Sequence, residues 1–152
     1  MQQLVGSKNA FKITTLVIFF VVLLVFGGSI HKTETLTQVI DCGDCNIDVI
    51  AVTFFTKNGA ITEKYLQKSS EIETIGKAFD DTICRSEGKY KFETFSGGQY
   101  YDISLYEIKD GKFEKIKAFS LSRKGELYYD GKQYAVNENA NIFTVLDEIY
   151  LS

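Results

Sequence analysis

Residues 101–136 read YDISLYEIKDGKFEKIKAFSLSRKGELYYDGKQYAV, and the fold follows from this stretch. Tyr101, Ile103 and Leu105 alternate with polar positions, the period of a strand with one face turned inward. Lys109-Asp110-Gly111-Lys112 reverses the chain. Phe113–Leu121 forms the next strand, with Lys115 and Lys117 read as facing water. Arg123-Lys124-Gly125 turns into Glu126–Tyr129, and Asp130-Gly131 is a two-residue hairpin loop leading into Gln133–Val136. Short strands joined by tight turns of this kind build an antiparallel sheet.

Working outward, the same texture appears upstream. Tyr90, Phe92 and Thr94 alternate with charged residues, and Ser96-Gly97-Gly98 is a turn. Ile47–Thr56 (IDVIAVTFFT) is rich in β-branched and aromatic residues, and Lys57-Asn58-Gly59-Ala60 returns the chain through Ile61–Leu66. A helix lies between these two groups. Ser70 stands three residues before Glu73, the spacing of a capping box, and Ile72, Ile75, Phe79 and Ile83 share one helical face. Ser86-Glu87-Gly88 reads as a loop, so the helix stops within 81–84. Gly76 costs about 1 kcal/mol relative to Ala inside a helix, which suggests a close approach to the sheet.

A second helix closes the chain. Asn141 is its expected N-cap, and Phe143, Leu146, Ile149 and Tyr150 form its inner face. Asp147-Glu148 sits toward the end that the helix dipole disfavours for acids. The order β-β-α-β-β-β-β-β-α predicts an α+β domain, one antiparallel sheet of about 5–7 strands with two helices on one face.

The first thirty residues differ from the rest. Ile13–Ile30 is uncharged, and Leu16–Phe26 reads LVIFFVVLLVF without a break. As a helix this stretch would rise about 27 Å, close to the hydrocarbon thickness of a bilayer. Lys8 and Lys12 precede it and no acid does, which orients a membrane segment with the N-terminus in the cytoplasm. The expected organisation is therefore a cytoplasmic tail at 1–12, a signal anchor at 13–30, a connector at 31–46 and an extracytoplasmic domain at 47–152. The other reading is a secretory signal peptide cut near Ser29, after the small residues Gly27 and Gly28.

Composition narrows the function classes. The 152 residues carry a formal charge of −3, and with Lys8 and Lys12 set aside the remaining 15 bases and 20 acids give −5. Nucleic acid is not an expected partner of such a surface. Aromatics at 14% and charged residues at 24% exclude a disordered chain. There is no proline, so no site can be built around a cis-proline.

Cys42-Gly43-Asp44-Cys45 is the one motif with chemistry. A C-x-x-C is a redox dithiol, half of a metal site or a local disulfide. A redox thiol is activated at a helix N-terminus. Here a strand-like run follows Cys45, and Asp41 and Asp44 oppose thiolate formation. Zinc by count would need Cys42, Cys45, Cys84 and His31, without a second C-x-x-C or C-x-x-H. No metal and no cofactor is expected. The structural reading pairs Cys42 with Cys45 and buries Cys84 at the end of the first helix. A bond from either to Cys84 would instead close a loop of about 40 residues, worth about 4 kcal/mol in the chain-entropy model. Catalytic triads fail because the only histidine, His31, lies beside the apolar run. Asp80-Asp81 and Asp147-Glu148 read as solvated surface. The chain is not expected to be an enzyme.

The remaining feature is tyrosine. In a strand, consecutive residues point to opposite faces, so one of Tyr100-Tyr101 and one of Tyr128-Tyr129 must face away from the core. Outward tyrosines suit interfaces, giving a large rigid contact area at little entropic cost. Tyr100, Tyr101, Tyr128 and Tyr129 are the candidate binding face.

Two resemblances accompany this reading. The YDISLYE strand, the KGELYYDGKQY hairpin and the closing helix, over Tyr101–Tyr150, are similar to small exported domains of unknown function. Those domains occur on lipoproteins and single-pass membrane proteins of Gram-positive bacteria. The resemblance implies an exported α+β architecture and no activity. Lys8-Asn9-Ala10-Phe11 before the apolar run resembles a type IV pilin leader, with Thr15 where that family has Glu. The expected function is a membrane-tethered binding module for another envelope protein, in immunity, exclusion, inhibition or envelope sensing. The alternatives are an envelope dithiol enzyme using Cys42 and Cys45, and a structural or minor-pilin-like component.

Overall fold

A computed structural model describes residues 32–59, 61–89 and 98–151. The tail at 1–12, the apolar segment at 13–30, His31, and the strand and turn expected over 90–97 lie outside the described residues. Among the described residues, no helix is long and apolar enough to cross a membrane.

Lys32–Ser152 forms one compact unit. It is α+β: among the described residues, a single antiparallel sheet of eight strands with three helices. In chain order the elements are β1 (Thr33–Thr35), α1 (Leu36–Val39), β2 (Val49–Phe55), β3 (Ile61–Leu66), α2 (Ser69–Asp81), β4 (Ile83–Lys89), β5 (Tyr100–Lys109), β6 (Lys112–Ser122), β7 (Glu126–Tyr129), β8 (Lys132–Val136) and α3 (Asn141–Leu151). The sheet order is β1-β4-β8-β7-β6-β5-β2-β3.

The meander from β5 to β8 follows its turn chemistry. Asp110-Gly111 and Asp130-Gly131 are two-residue loops in which both residues take positive φ. That is the turn whose twist matches paired strands, and Asp and Gly tolerate it best. Gly125 is required for a different reason. Its φ is +78°, and a Cβ there would lie 2.2 Å from the Val136 carbonyl oxygen. The same contact region holds the bond from Val136 N–H to the Gly125 carbonyl at 2.7 Å.

The core lies between the sheet and the helices. Ile50, Val52, Tyr101, Ile103, Leu105, Phe119, Leu121 and Leu127 from the sheet pack with Ile75, Phe79, Ile142, Phe143 and Leu146. Phe79 of α2 meets Phe119 edge-on, 5.5 Å between centroids. The Tyr150 hydroxyl of α3 lies 2.6 Å from the Val52 carbonyl and 2.9 Å from that of Thr62. The Lys64 ammonium donates to the Ile149 carbonyl.

Several expectations are corrected. Among the described residues there are eight strands rather than 5–7, and three helices rather than two. Residues 31–46 are not a plain connector: from Thr33 onward they supply β1 and α1, and Leu36, Val39, Ile40 and Cys42 enter the core. The capping box stands here, between Thr35 and Gln38. At α2 the cap is Lys68, with no side-chain bond, rather than Ser70. Ser86-Glu87-Gly88 is not a loop but part of β4, with a register shift between Ser86 and Gly88. Cys84 and Ile83 therefore sit in a strand. Gly76 makes no close approach, since a Cβ there would meet nothing within 4 Å.

Candidate interaction surface

The helices cover one face of the sheet, and register assigns each remaining side chain to the other. Ile61, Glu63 and Tyr65 of β3 lie opposite Phe55, Thr53 and Ala51 of β2. Phe55, Thr53, Ala51 and Val49 lie opposite Tyr100, Asp102, Ser104 and Tyr106 of β5. Tyr106 and Ile108 lie opposite Lys115 and Phe113 of β6. All of these alternate with core residues and so share the other face, which no helix among the described residues covers.

Five large apolar side chains, Ile61, Tyr65, Ile83, Ile108 and Phe113, are 48–63% exposed. Each falls on this uncovered face; Ile83 does so because its neighbour Cys84 points inward. Val49 and Ala51 are on the same face yet only 1% and 4% exposed. Their small side chains lie in the register rows of Tyr106 and Tyr65. Phe55 stacks on Tyr100 with centroids 4.4 Å apart and planes 6° from parallel. Tyr106 meets Phe113 edge-on at 6.4 Å, and the Lys115 ammonium sits 5.7 Å from the Tyr106 centroid. Rings held by such neighbours lose little entropy when a further surface covers them.

A cleft of about 400 Å³ opens beside these rings, lined by Asp102, Ser104, Ser120, Tyr128, Lys115 and Lys132 among others. Ser120 donates to the Asp102 carboxylate. Burial pushes the Asp102 carboxyl above its usual range, against the lowering effect of the Ser120 bond.

Of the four tyrosines read from sequence, Tyr100 and Tyr128 lie on the uncovered face, both half-buried. Tyr101 and Tyr129 fall on the helix-covered face by register, although Tyr129 is half-buried and also borders the cleft. Tyr101 is buried in the core, and its hydroxyl donates to Asp147 of α3 at 2.5 Å. Arg123 donates to the same carboxylate. Burial and then the Asp147 bond raise the Tyr101 hydroxyl pKa. Tyr129 donates to the Ile40 carbonyl at 3.2 Å. The alternation rule settles only that the members of each pair diverge; the helices decide which member turns inward. Asp147 is likewise not free surface: the position that the helix dipole disfavours is compensated by Arg123 and Tyr101. Asp80, by contrast, is exposed and accepts from the Thr37 hydroxyl at 2.6 Å.

Cys42 and Cys45 are joined as a disulfide, with Cα atoms 4.9 Å apart. They follow the C-terminus of α1, not the N-terminus of a helix, so no helix dipole favours a thiolate. Cys84 is a free, fully buried thiol, and burial pushes its pKa up to about 12. Sulfurs bonded to each other do not ligate a metal, so Cys42, Cys45 and Cys84 form no donor set in this state.

Phe55, Ile61, Tyr65, Tyr106, Ile108 and Phe113 were not among the residues singled out from sequence. The available signal was that apolar residues occupy both parities of IDVIAVTFFT, more than one buried face can use. Compared with family models, with curated proteins and with solved structures, the chain matches none of them.

Proposed function

We propose that this protein is a membrane-tethered, extracytoplasmic binding module. It acts by docking another envelope protein on the uncovered face of its sheet rather than by catalysis. One observation carries the reading: four exposed large apolar side chains, Ile61, Tyr65, Ile108 and Phe113, lie on that face across the neighbouring strands β3, β2, β5 and β6, around a tyrosine and phenylalanine framework fixed by ring contacts. The polar residues between them, Glu63, Thr53, Asp102 and Ser104, match the mixed character of a reversible interface. Tethering is supported by the uncharged stretch Ile13–Ile30 behind Lys8 and Lys12.

The test places a photo-crosslinking residue at Tyr65, Tyr106 or Phe113 in the full chain in its native cells, with Thr74 and Lys77 on the exposed side of α2 as controls. A discrete adduct from the sheet positions, and none from α2, is the expected result. Adducts from both sets, or from neither, overturn the reading. Loss of the domain on external protease treatment of intact cells is expected for the tether; full protection contradicts it.

A further inference from the structure

β5 outruns the strand beside it. β2 begins at Val49, opposite Tyr106, so Glu107 and Ile108 extend past its start. A short arm of irregular chain, residues 46–48, meets their polar groups. The Asp48 N–H donates to the Tyr106 carbonyl at 2.9 Å. The Ile108 N–H donates to the Asp48 carboxylate at 2.7 Å, and the Asn46 side-chain amide donates to Glu107 at 3.4 Å. On the other side of β5, its register on β6 slips by one residue between Leu105 and Tyr106, just where the arm grips. A bulge interrupts the regular ladder, so the arm's three bonds bear directly on how Tyr106 and Ile108 are presented.

The Cys42–Cys45 bond ties the arm down at its other end. Cys42 is buried, and its N–H donates to the Thr37 carbonyl of α1 at 3.1 Å. Cys45 is half-buried and borders a hollow of about 650 Å³ lined by Thr37, Gln38 and Lys117 among others. The bond therefore joins a core residue to one that a reagent in solution can reach, directly before Asn46. The two cysteines are 3 residues apart, and so short a loop constrains the unfolded chain less than a long one does. Its effect is local, on the arm. Ile47 also packs against the core, so loss of the bond loosens the arm without detaching it.

We infer that the Cys42–Cys45 disulfide is a redox switch on the sheet face. Oxidised, it holds the arm that fixes Tyr106 and Ile108; reduced by an extracytoplasmic dithiol, it loosens that arm and weakens docking. The consequence for docking rests on the function proposed above, whereas the clamp itself does not. A thiolate of the reductant attacks the Cys45 sulfur, the disulfide bond breaks, and Cys42 leaves with the electron pair and takes up a proton. The reductant's second thiolate then attacks its own sulfur in the mixed disulfide, and Cys45 leaves in the same way. Two electrons and two protons end on Cys42 and Cys45, and the reductant ends as a disulfide.

The test treats the full chain in mild detergent with dithiothreitol, follows the two thiols by alkylation and mass, and reads amide hydrogen exchange in the same samples. Exchange at Asp48 and Ile108 is expected to rise roughly tenfold or more on reduction, while exchange over 101–105, in the buried part of β5, stays the same. Cys42→Ser with Cys45→Ser should show the fast exchange without reductant. Asp48→Ala should show it at Ile108 with the disulfide intact. Unchanged exchange at Asp48 and Ile108 overturns the switch. A rise that includes 101–105 overturns it too, because the bond would then staple the whole domain, and so does a bond that dithiothreitol reduces only after unfolding in urea. Photo-crosslinking from Phe113 in native cells reads the consequence. Adducts are expected to fall in the double serine variant, and equal adducts overturn the control of docking. Absence of adducts with and without the serines overturns the docking reading alone, since the exchange measurements involve no partner.

Discussion

The two faces of the sheet use the same residue types in different ways. On the helix-covered face, Tyr101 and Phe119 are buried and Tyr129 is half-buried, and each tyrosine hydroxyl has a partner: Asp147 for Tyr101 and the Ile40 carbonyl for Tyr129. On the other face, Phe55 with Tyr100 and Tyr106 with Phe113 pack on one another. Burial by a helix orders a fold, whereas contact between neighbouring rings holds them on a face that no helix among the described residues covers. Aromatic content alone therefore does not distinguish core from surface; the element that faces the ring does.

The sharpest test of this contrast is a pair of truncations. Ile103→Ala, on the covered face, should cost about 3–4 kcal/mol in urea unfolding, as a buried aliphatic leaving a cavity. Phe113→Ala should stay within about 0.5 kcal/mol while abolishing the adducts formed through its face. Equal losses would erase the distinction between the faces. Gly125→Ala comes next. It should destabilise by about 2–3 kcal/mol through its left-handed backbone and the clash with Val136, seen as a lower urea midpoint.

Tyr101→Phe probes how α3 is fastened to the covered face. Removing the hydroxyl leaves Arg123 still paired with Asp147, and a loss of about 1 kcal/mol is expected. Asp147→Ala should cost more, because it strands both partners. The smallest effect belongs to Asp102 on the uncovered face. Its folded-state pKa is raised by burial, so its contribution is fully present below the ordinary carboxyl value and is lost as pH rises through the folded value. Asp102→Asn should therefore gain on the wild type between acid and neutral pH. Urea titrations at both ends of that window check the sign; a gap that shrinks toward neutrality would contradict it.

Most of the fold was legible because its turns are chemically specific. Asp110-Gly111, Asp130-Gly131 and the alternation of Tyr101, Ile103 and Leu105 mark the meander without ambiguity. The misread places share one cause: local signals that tertiary pairing overrode. Ser86-Glu87-Gly88 has loop composition, yet β8 on one side and β1 near its start hold β4 as a strand. Ile83 continues the helical period of Ile75 and Phe79, but the helix ends at Asp81 and leaves it on the sheet. Thr35 and Gln38 carry a capping signature that went unread because the segment looked like a tether. For the site, alternation showed that tyrosines must diverge but gave no means of choosing between Tyr100 and Tyr101. That choice depends on where α3 places Asp147, 46 residues away. The rings on β3 and β6 were hidden for a similar reason: only strand order shows which apolar residues are surplus to the core.

The fastening of Tyr150 has a temporal consequence. Its hydroxyl meets the Val52 carbonyl, 98 residues earlier in the chain, and Ile142, Phe143 and Leu146 complete the covering of β2 and β5. The strands synthesised early thus wait for the helix synthesised late. Contacts of such sequence separation slow folding, and until residue 150 has been made, Ile50 and Val52 lack their lid. A ribosome-bound chain stopped before Asn141 would hold the sheet without α3, so the domain's maturation waits on the synthesis of that helix.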